Sequence, residues 1–183
     1  MPEPYSGANR NLGTYHMADN AAFDPVRVNN FEIQITGLTN LDGYGFADAE
    51  TAIRLSVASF SAPNMTVGEI VIPYGNNKAK FAGVPEYATS NMVCNDFIGL
   101  NTERVLTAWF KKVYDPITQK VGLKTEYAKT AYVIQYDPKG NYLRSWRLDR
   151  CWPSNLSIGD LTQEGGTAKQ VTMTLTYDVA IPE

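Results

Sequence analysis

Histidine and cysteine, the residue types that most often supply bases, nucleophiles and soft metal ligands, are scarce in this chain of 183 residues. The single histidine, His16, lies in a polar N-terminal stretch without periodicity. A Ser–His or Cys–His pair must be held at about 3 Å, and an irregular arm does not hold that geometry. His16 and the two cysteines, Cys94 and Cys151, fall short of the four ligands of a structural zinc site. We therefore expect no catalytic residue and no metal site.

An acidic, glycine-containing segment, residues 38–50, is the other candidate for chemistry. Carboxylates such as Asp42, Asp48 and Glu50 are ligands that Ca²⁺ prefers, but the spacing of an EF-hand is absent and a solvated acidic loop is favoured. Gly43-Tyr44-Gly45 lacks the third glycine of a dinucleotide-binding motif, and the chain has no P-loop motif. We expect no cofactor.

The composition indicates one globular domain, because 44% of the residues are hydrophobic and 19% are charged. With 16 basic and 19 acidic residues, the formal net charge is -3. That balance argues against a surface that grips nucleic acid, although not against one that nucleic acid slides past. No segment approaches the ~20 apolar residues of a membrane span. Synthesis in a cytoplasm and free, buried thiols at Cys94 and Cys151 are expected, with a disulfide within or between subunits as the alternative.

Alternating apolar and polar residues predict several strands in the first half of the chain. Residues 31–36 form the first predicted strand, and Ile53, Leu55 and Val57 suggest the second. Ile70 to Ile72 is a short β-branched run closed by Pro73, and a further strand is predicted over about 87–93. Two long polar loops, residues 38–50 and 74–86, separate these strands. Long loops of this kind usually make functional or partner contacts.

One helix is predicted, because apolar residues recur there on a single helical face. Asn101 or Thr102 can cap its start, and Asp115-Pro116 ends it. The apolar stripe consists of Val105, Leu106, Trp109, Phe110 and Val113.

A hairpin and a long final strand complete the predicted fold. Residues 130–136 and 142–148 are predicted to pair around the turn Asp137-Pro138-Lys139-Gly140, and Trp152-Pro153 to leave that sheet. The last strand alternates from Val171 to Val179. Strands dominate, so we expect a mainly β fold, a sandwich or small barrel with one helix covering an end or a face. Residues 1–27 are expected to form an extended arm, with a disordered tail as the alternative, and residues 28–183 a single domain.

Several segments occur in an order that is informative as a set. They are Asn30 to Ile35, Pro73 to Lys78, Phe81-Ala82-Gly83, the helix around Trp109, Val133 to Gly140, Leu143 to Leu148, Cys151 to Ser154, Gly159-Asp160-Leu161 and the C-terminal strand. Over residues 28–182 this series resembles the tail tube proteins of contractile-tailed phages. The Trp146 and Trp152-Pro153 pair followed by Gly159-Asp160 is its most specific part.

The resemblance implies a homohexameric ring that stacks into a helical tube. Loops and terminal arms reach between rings, and the viral genome passes through the lumen without specific binding. Implied partners are further copies of the chain, the tail sheath, the baseplate hub, the tail terminator and the tape-measure protein, with no membrane. The implied location is the virion tail, after synthesis in the bacterial host cytoplasm.

Within that picture, residues can be assigned to three roles. The predicted subunit and ring interface comprises Asp42, Tyr44, Phe46, Asp48, Tyr74, Asn76, Lys78 and Phe81. The predicted lumen residues are Glu69, Thr172, Thr174 and Asp178. Trp109, Trp146 and Trp152 are expected in the core. Six copies carry 6 × -3 = -18 formal charges per ring, and an acidic or neutral wall lets anionic DNA pass.

Other functions stay open at this stage. A type VI secretion tube or an R-type bacteriocin tube would share the fold and carry effectors or ions. A monomeric ligand-binding β-sandwich would not oligomerise. An enzyme with an unrecognised carboxylate pair is the remaining alternative.

Overall fold

The computed structural model describes residues 25–38, 41, 49–163 and 166–183. Within them lie eleven strands and three helices, which confirms the predicted mainly β fold. The strands are β1 (Phe31–Thr36), β2 (Val57–Phe60), β3 (Met65–Tyr74), β4 (Asn77–Tyr87), β5 (Ser90–Asn95), β6 (Tyr114–Asp115), β7 (Lys120–Val121), β8 (Lys129–Tyr136), β9 (Tyr142–Ser157), β10 (Gln170–Thr176) and β11 (Val179–Pro182). The helices are α1 (Ala49–Ser56), α2 (Thr102–Val113) and α3 (Lys124–Tyr127).

Seven strands form one antiparallel sheet in the order β1-β8-β9-β10-β5-β2, with β11 also paired to β9. The 16-residue strand β9 joins its two halves. Its first part pairs with β8 as far as Cys151, and Trp152 onward pairs with β10. Arg150, with a φ of 54°, marks the change of partner beside a register shift. Such bulges increase local twist, so both halves face one core.

Two predicted strand ends are wrong at this junction and at the C-terminus. The return strand predicted over residues 142–148 runs on as β9 to Ser157, and Trp152-Pro153 lies where β9 changes its partner from β8 to β10. Pro153 is tolerated there because it adjoins a register shift, where the ladder is already irregular. The predicted strand from 171 to 179 is divided, because the chain leaves β10 after Thr176 and pairs with β9 again from Val179.

The core draws on both halves of the sheet and on α2. Val171, Met173 and Leu175 of β10 are fully buried, as the alternation predicted. On α2, Val105, Leu106 and Trp109 are fully buried in the same cluster. The Trp109 indole N–H donates a hydrogen bond to the Tyr127 carbonyl at 2.9 Å, which satisfies the polar atom of a buried ring. Helix α2 therefore lies on the core side of the sheet.

The strand predicted at Ile53, Leu55 and Val57 is wrong, because residues 49–56 form helix α1. Its buried residues Ala49, Ala52, Ile53 and Ser56 fall at i, i+3, i+4 and i+7, the spacing of one helical face. Leu55 points to solvent. The three-residue alternation was too short to distinguish the two periods.

Other predicted ends differ by a few residues. Helix α2 begins at Thr102 without a side-chain cap, although Asn101 adopts a left-handed φ of 51°. It ends at Val113, before the predicted Asp115-Pro116 stop. The strand predicted over 87–93 is β5, which begins at Ser90.

The two cysteines are free and buried. Burial raises the pKa of the Cys94 and Cys151 thiols to about 12, so neither is a reactive thiolate near neutral pH. None of the helices in the described residues is both long and apolar enough to cross a membrane.

Candidate assembly surfaces

The most unusual feature of the fold is a hairpin that stands apart from the main sheet. Among the described strands, β3 and β4 pair only with each other. Every residue of β3 is exposed, including Pro73. Gly75, with a φ of 58°, and Asn76 form the two-residue turn, and a glycine with positive φ at the first position suits a tight hairpin.

This hairpin overturns the loop predicted over residues 74–86. Polar residues suggested a loop, but Lys78 and Lys80 alternate with Ala79 and Phe81 at the period of a strand. The strands also approach closely near Gly83, where an added Cβ would lie 2.9 Å from the Gly68 carbonyl oxygen. A register shift occurs at the same place. Glycine in a strand often marks such a bulge.

The outer half of the hairpin is amphipathic. Directly paired residues share a face, so Ile70 with Phe81, and Ile72 with Ala79, form one apolar face. Tyr74 extends it toward the turn. The opposite, charged face carries Glu69, Lys80 and Lys78, and Lys80 Nζ lies 2.9 Å from a Glu69 carboxylate oxygen. We call the residues Ile70, Ile72, Tyr74, Ala79 and Phe81 the hairpin apolar face.

The residues predicted at the subunit and ring interface do not all lie on one surface. Tyr74 and Phe81 lie on the hairpin apolar face, Asn76 lies in the turn, and Lys78 lies on the charged face. Asp42, Tyr44, Phe46 and Asp48 lie outside the described residues.

A second surface is polar and free of charge. Thr172 and Thr174 lie on the side of β10 opposite the buried Val171 and Met173. Neighbouring strands place amides and hydroxyls in register beside them, and Thr174 donates a hydrogen bond to the Asn91 side-chain oxygen at 2.9 Å. We call this surface the neutral face. It comprises Ser59, Asn91, Asn95, Asn155, Ser157, Gln170, Thr172 and Thr174. Val93 is its apolar member, and no described residue at these register positions is charged.

The other two predicted lumen residues do not join the neutral face. Glu69 lies on the hairpin. Asp178 follows β10. One of its carboxylate oxygens lies 2.7 Å from Lys124 Nζ and 3.1 Å from an Arg150 guanidinium nitrogen. The hydrogen bond from Lys124, opposed by desolvation and assisted by Arg150, lowers the pKa of the Asp178 carboxyl. Asp178 is therefore engaged in a local ion cluster.

Of the three tryptophans expected in the core, only Trp109 is fully buried. Trp146 is half-buried at the edge of the core, with the Arg144 guanidinium 5.9 Å from its ring centroid. Trp152 is also half-buried and meets Tyr127 edge-on at 5.7 Å. Trp152 lies between the buried residues Cys151 and Pro153, so strand alternation turns its ring away from the core.

A third surface, which sequence reasoning missed, follows α2. Tyr114 of β6 pairs directly with Val121 of β7. Four apolar side chains are exposed here, and we call them the turn patch: Tyr114 (41% exposed), Ile117 (84%), Val121 (71%) and Leu123 (67%). The alternation of Val121 and Leu123 around a glycine was the available signal.

The turn that carries this patch is held firmly against α2. The Gly122 N–H donates to the Val113 carbonyl at 3.0 Å, and an added Cβ on Gly122 would lie 2.1 Å from the Lys112 carbonyl oxygen. Within the turn, the Asp115 carboxylate accepts hydrogen bonds from the Thr118 hydroxyl and the Ile117 N–H, which lower its pKa. The described residues contain no cluster of His, Cys, Asp and Glu that could hold a metal ion.

Solved structures with the same fold come from contractile injection systems. A chain of the sheath-tube complex of an extracellular contractile injection system, PVC, in the extended state is 17% identical, with a TM-score of 0.68 over 93% of this chain and 99% of that chain. A chain of the tube-terminating cap of the anti-feeding prophage is 16% identical, with a TM-score of 0.65 over 87% of this chain and 91% of that chain. Identities this low show the fold alone. No curated protein sequence matches the chain.

The family assignment comes from the sequence pattern. Residues 27–180 match the family described as T4-like virus tail tube protein gp19. This match covers most of the 183 residues and confirms the resemblance noted in the order of the segments. The chain belongs to the family of T4-like virus tail tube proteins.

Proposed function

We propose that this chain is the structural subunit of a phage tail tube, built from stacked hexameric rings whose lumen conducts the viral genome into the host. The observation that carries the proposal is the β3–β4 hairpin with its exposed apolar face. Sheath, baseplate hub, terminator and tape-measure proteins are the proposed partners. The subunit is made in the host cytoplasm, acts in the virion tail and performs no catalytic step.

No described residue of the chain covers the hairpin apolar face, so we assign its partner to another chain. An isolated two-stranded hairpin is marginally stable in water, and contiguous exposed apolar surface marks an interaction site. The hairpin apolar face is about half exposed at Ile70, Ile72 and Phe81. We assign its covering to a second copy of the chain. Head-to-tail contacts between identical copies close into rings or continue as filaments.

The main sheet offers a further means of self-association. Its order ends at β1 on one side and β2 on the other, and edge strands present unpaired backbone groups to another chain. Edge-to-edge pairing of neighbouring subunits is the proposed ring contact. It would join the sheets of six subunits around a channel.

The neutral face is the proposed lining of that channel. DNA binds proteins largely through lysine and arginine contacts with its phosphates, and the neutral face carries none. Hydroxyl and amide groups bind water at the channel wall, and because they carry no net charge they neither attract nor repel a polyanion strongly. Thr172 and Thr174 are thus proposed to face the lumen, with Asn91 and Asn155 beside them.

Assembly is tested by negative-stain electron microscopy and mass measurement over a range of concentrations. We expect wild type to form rings or hollow tubes, and Ile72→Asp to be a folded monomer because the new carboxylate lies on the hairpin apolar face. Glu69→Gln, on the opposite face of the same hairpin, is the matched control and should assemble. Wild type that stays monomeric, even with baseplate complexes added as nuclei, contradicts the proposal and favours a ligand-binding sandwich.

A second candidate is the tube of an injection particle that carries no genome, such as a type VI secretion or R-type bacteriocin system. The likeness to structures described as an extracellular contractile injection system and an anti-feeding prophage favours it. Analysis of purified particles separates the two: encapsidated DNA indicates a phage tail, and particles without a capsid or DNA indicate an injection system.

A further inference from the structure

We propose that the turn patch is the surface on which the tail sheath subunit docks, through an apolar segment flanked by acidic residues. This inference rests on the proposed tube function and adds to it a particular surface and the chemistry of the partner.

The turn patch is a preformed surface. Its exposed side chains lie on a turn that is fixed to the end of α2 by the Gly122–Val113 hydrogen bond and by the close approach of Gly122 to the Lys112 carbonyl. Tyr114 and Val121 lie side by side as a directly paired couple. A turn whose backbone is already fixed loses little backbone entropy on binding. The patch is therefore available for a contact that none of the described residues supplies.

Charge around the patch selects the partner. Residues 111–126 contain four lysines and two carboxylates, so their formal charge is 4 - 2 = +2, whereas the whole chain carries -3. One of these lysines, Lys124, is paired with Asp178 from outside the segment. Both carboxylates accept backbone hydrogen bonds within the segment, Asp115 from Ile117 and Glu126 from Leu123. Lys120, paired with Asp115 across the ladder, is exposed. A partner with acidic side chains around an apolar segment complements this surface.

The position of the patch points to a partner outside the tube. The buried residues of α2 share one core with Met173 and Leu175 of β10. The neutral face lies on the other side of β10, away from that core. Helix α2 and the neutral face are thus on opposite sides of the subunit. If the neutral face lines the lumen, α2 and the turn patch face outward, where a sheath surrounds a tube.

The first test is co-sedimentation of preassembled tubes with the sheath subunit isolated from the same particles as this chain. The double variant Val121→Ser/Leu123→Ser should form normal tubes and bind the sheath at least about tenfold more weakly, as expected for central apolar contacts. Lys120→Glu should also weaken binding, and the salt dependence should decrease. Leu161→Ser is the matched control, because Leu161 is 82% exposed and lies outside the patch.

A second measurement keeps the test independent of variant folding. A photo-crosslinking amino acid at position 117, the most exposed site of the patch, should crosslink to the sheath in assembled particles. Unchanged sheath binding by the double variant, or crosslinks to neighbouring tube subunits or to nothing, overturns the inference. Loss of tubes in the double variant would make the patch a contact between copies and also overturn it. Failure of the tube function itself would appear separately, as wild-type protein that forms no tubes.

Discussion

The main sheet and the β3–β4 hairpin use the same kinds of residues in opposite surroundings. On β10 of the main sheet, Val171, Met173 and Leu175 are 0% exposed. On the hairpin, Ile70, Ile72 and Phe81 are between 50% and 54% exposed. The strands alternate in both regions, so the difference lies in what covers the apolar face. The described residues bury the apolar face of the sheet and leave that of the hairpin exposed, and in the proposed assembly a second copy of the chain covers it.

The largest expected effect lies on the sheet side of this comparison. Trp109→Ala should lower the free energy of unfolding by about 3–5 kcal/mol, because a fully buried aromatic ring is removed. Chemical denaturation in the Ile72→Asp background, which is expected to be monomeric, measures this free energy without assembly. Tyr74→Ala, which truncates an exposed aromatic of the hairpin, should change the same quantity by no more than about 0.5 kcal/mol. Equal losses for the two variants would show that the hairpin is part of the cooperative core.

An intermediate effect is expected within the hairpin. In Gly83→Ala, the new Cβ would meet the Gly68 carbonyl oxygen at 2.9 Å, so the strands must separate at a cost of about 1–3 kcal/mol. Hydrogen exchange should become faster for hairpin amides and stay slow in β10, since no described strand of the sheet pairs with the hairpin. Tube formation should weaken. Ala82→Ser, at an exposed neighbouring position, should change neither hydrogen exchange nor tube formation. An equal loss of protection in β10 would contradict the structural separation of the hairpin from the main sheet.

The smallest expected effect concerns how the free energy of unfolding depends on pH. Lys124 and Arg150 lower the folded-state pKa of Asp178. A depressed carboxyl pKa adds stability above the unfolded value of about 3.9, and that stability is lost as pH falls through the folded pKa. Because the cluster is partly exposed, the contribution should be below about 1 kcal/mol. Asp178→Asn should flatten the acid limb of unfolding free energy measured between about pH 2 and 6, and an unchanged limb would show that the cluster is not coupled to folding.

The sequence predicts an element correctly where one of its faces is buried in the core, because burial imposes a regular spacing of apolar residues. The stripe of α2 and the alternation of β10 were predicted, because both face the core over several turns or pairs. Helix α1 was missed because its apolar face shows only two turns. Residues 74–86 of the hairpin have the composition of a loop, since the lysines alternate with small residues and no described residue buries the strands.

The candidate surfaces were predicted less completely than the fold. Thr172 and Thr174 were expected on one surface and do lie together, but the amides beside them come from β5 and β9, whose register is not visible in sequence. Asp178 is polar, as the alternation of β10 requires at that position, but the strand ends at Thr176. The turn patch depends on how Gly122 packs against α2, which is a tertiary contact.

The tip of the hairpin carries residues that disfavour uncontrolled pairing of its strands. Pro73 lies opposite Lys78, and Lys80 is two residues further along β4. Proline offers no N–H to an incoming strand, and lysines at a strand edge disfavour indiscriminate β-pairing. An exposed apolar hairpin would otherwise promote amyloid-like aggregation. We expect these residues to protect an unassembled subunit from irreversible aggregation, so that in the proposed tube it stays available for ordered growth.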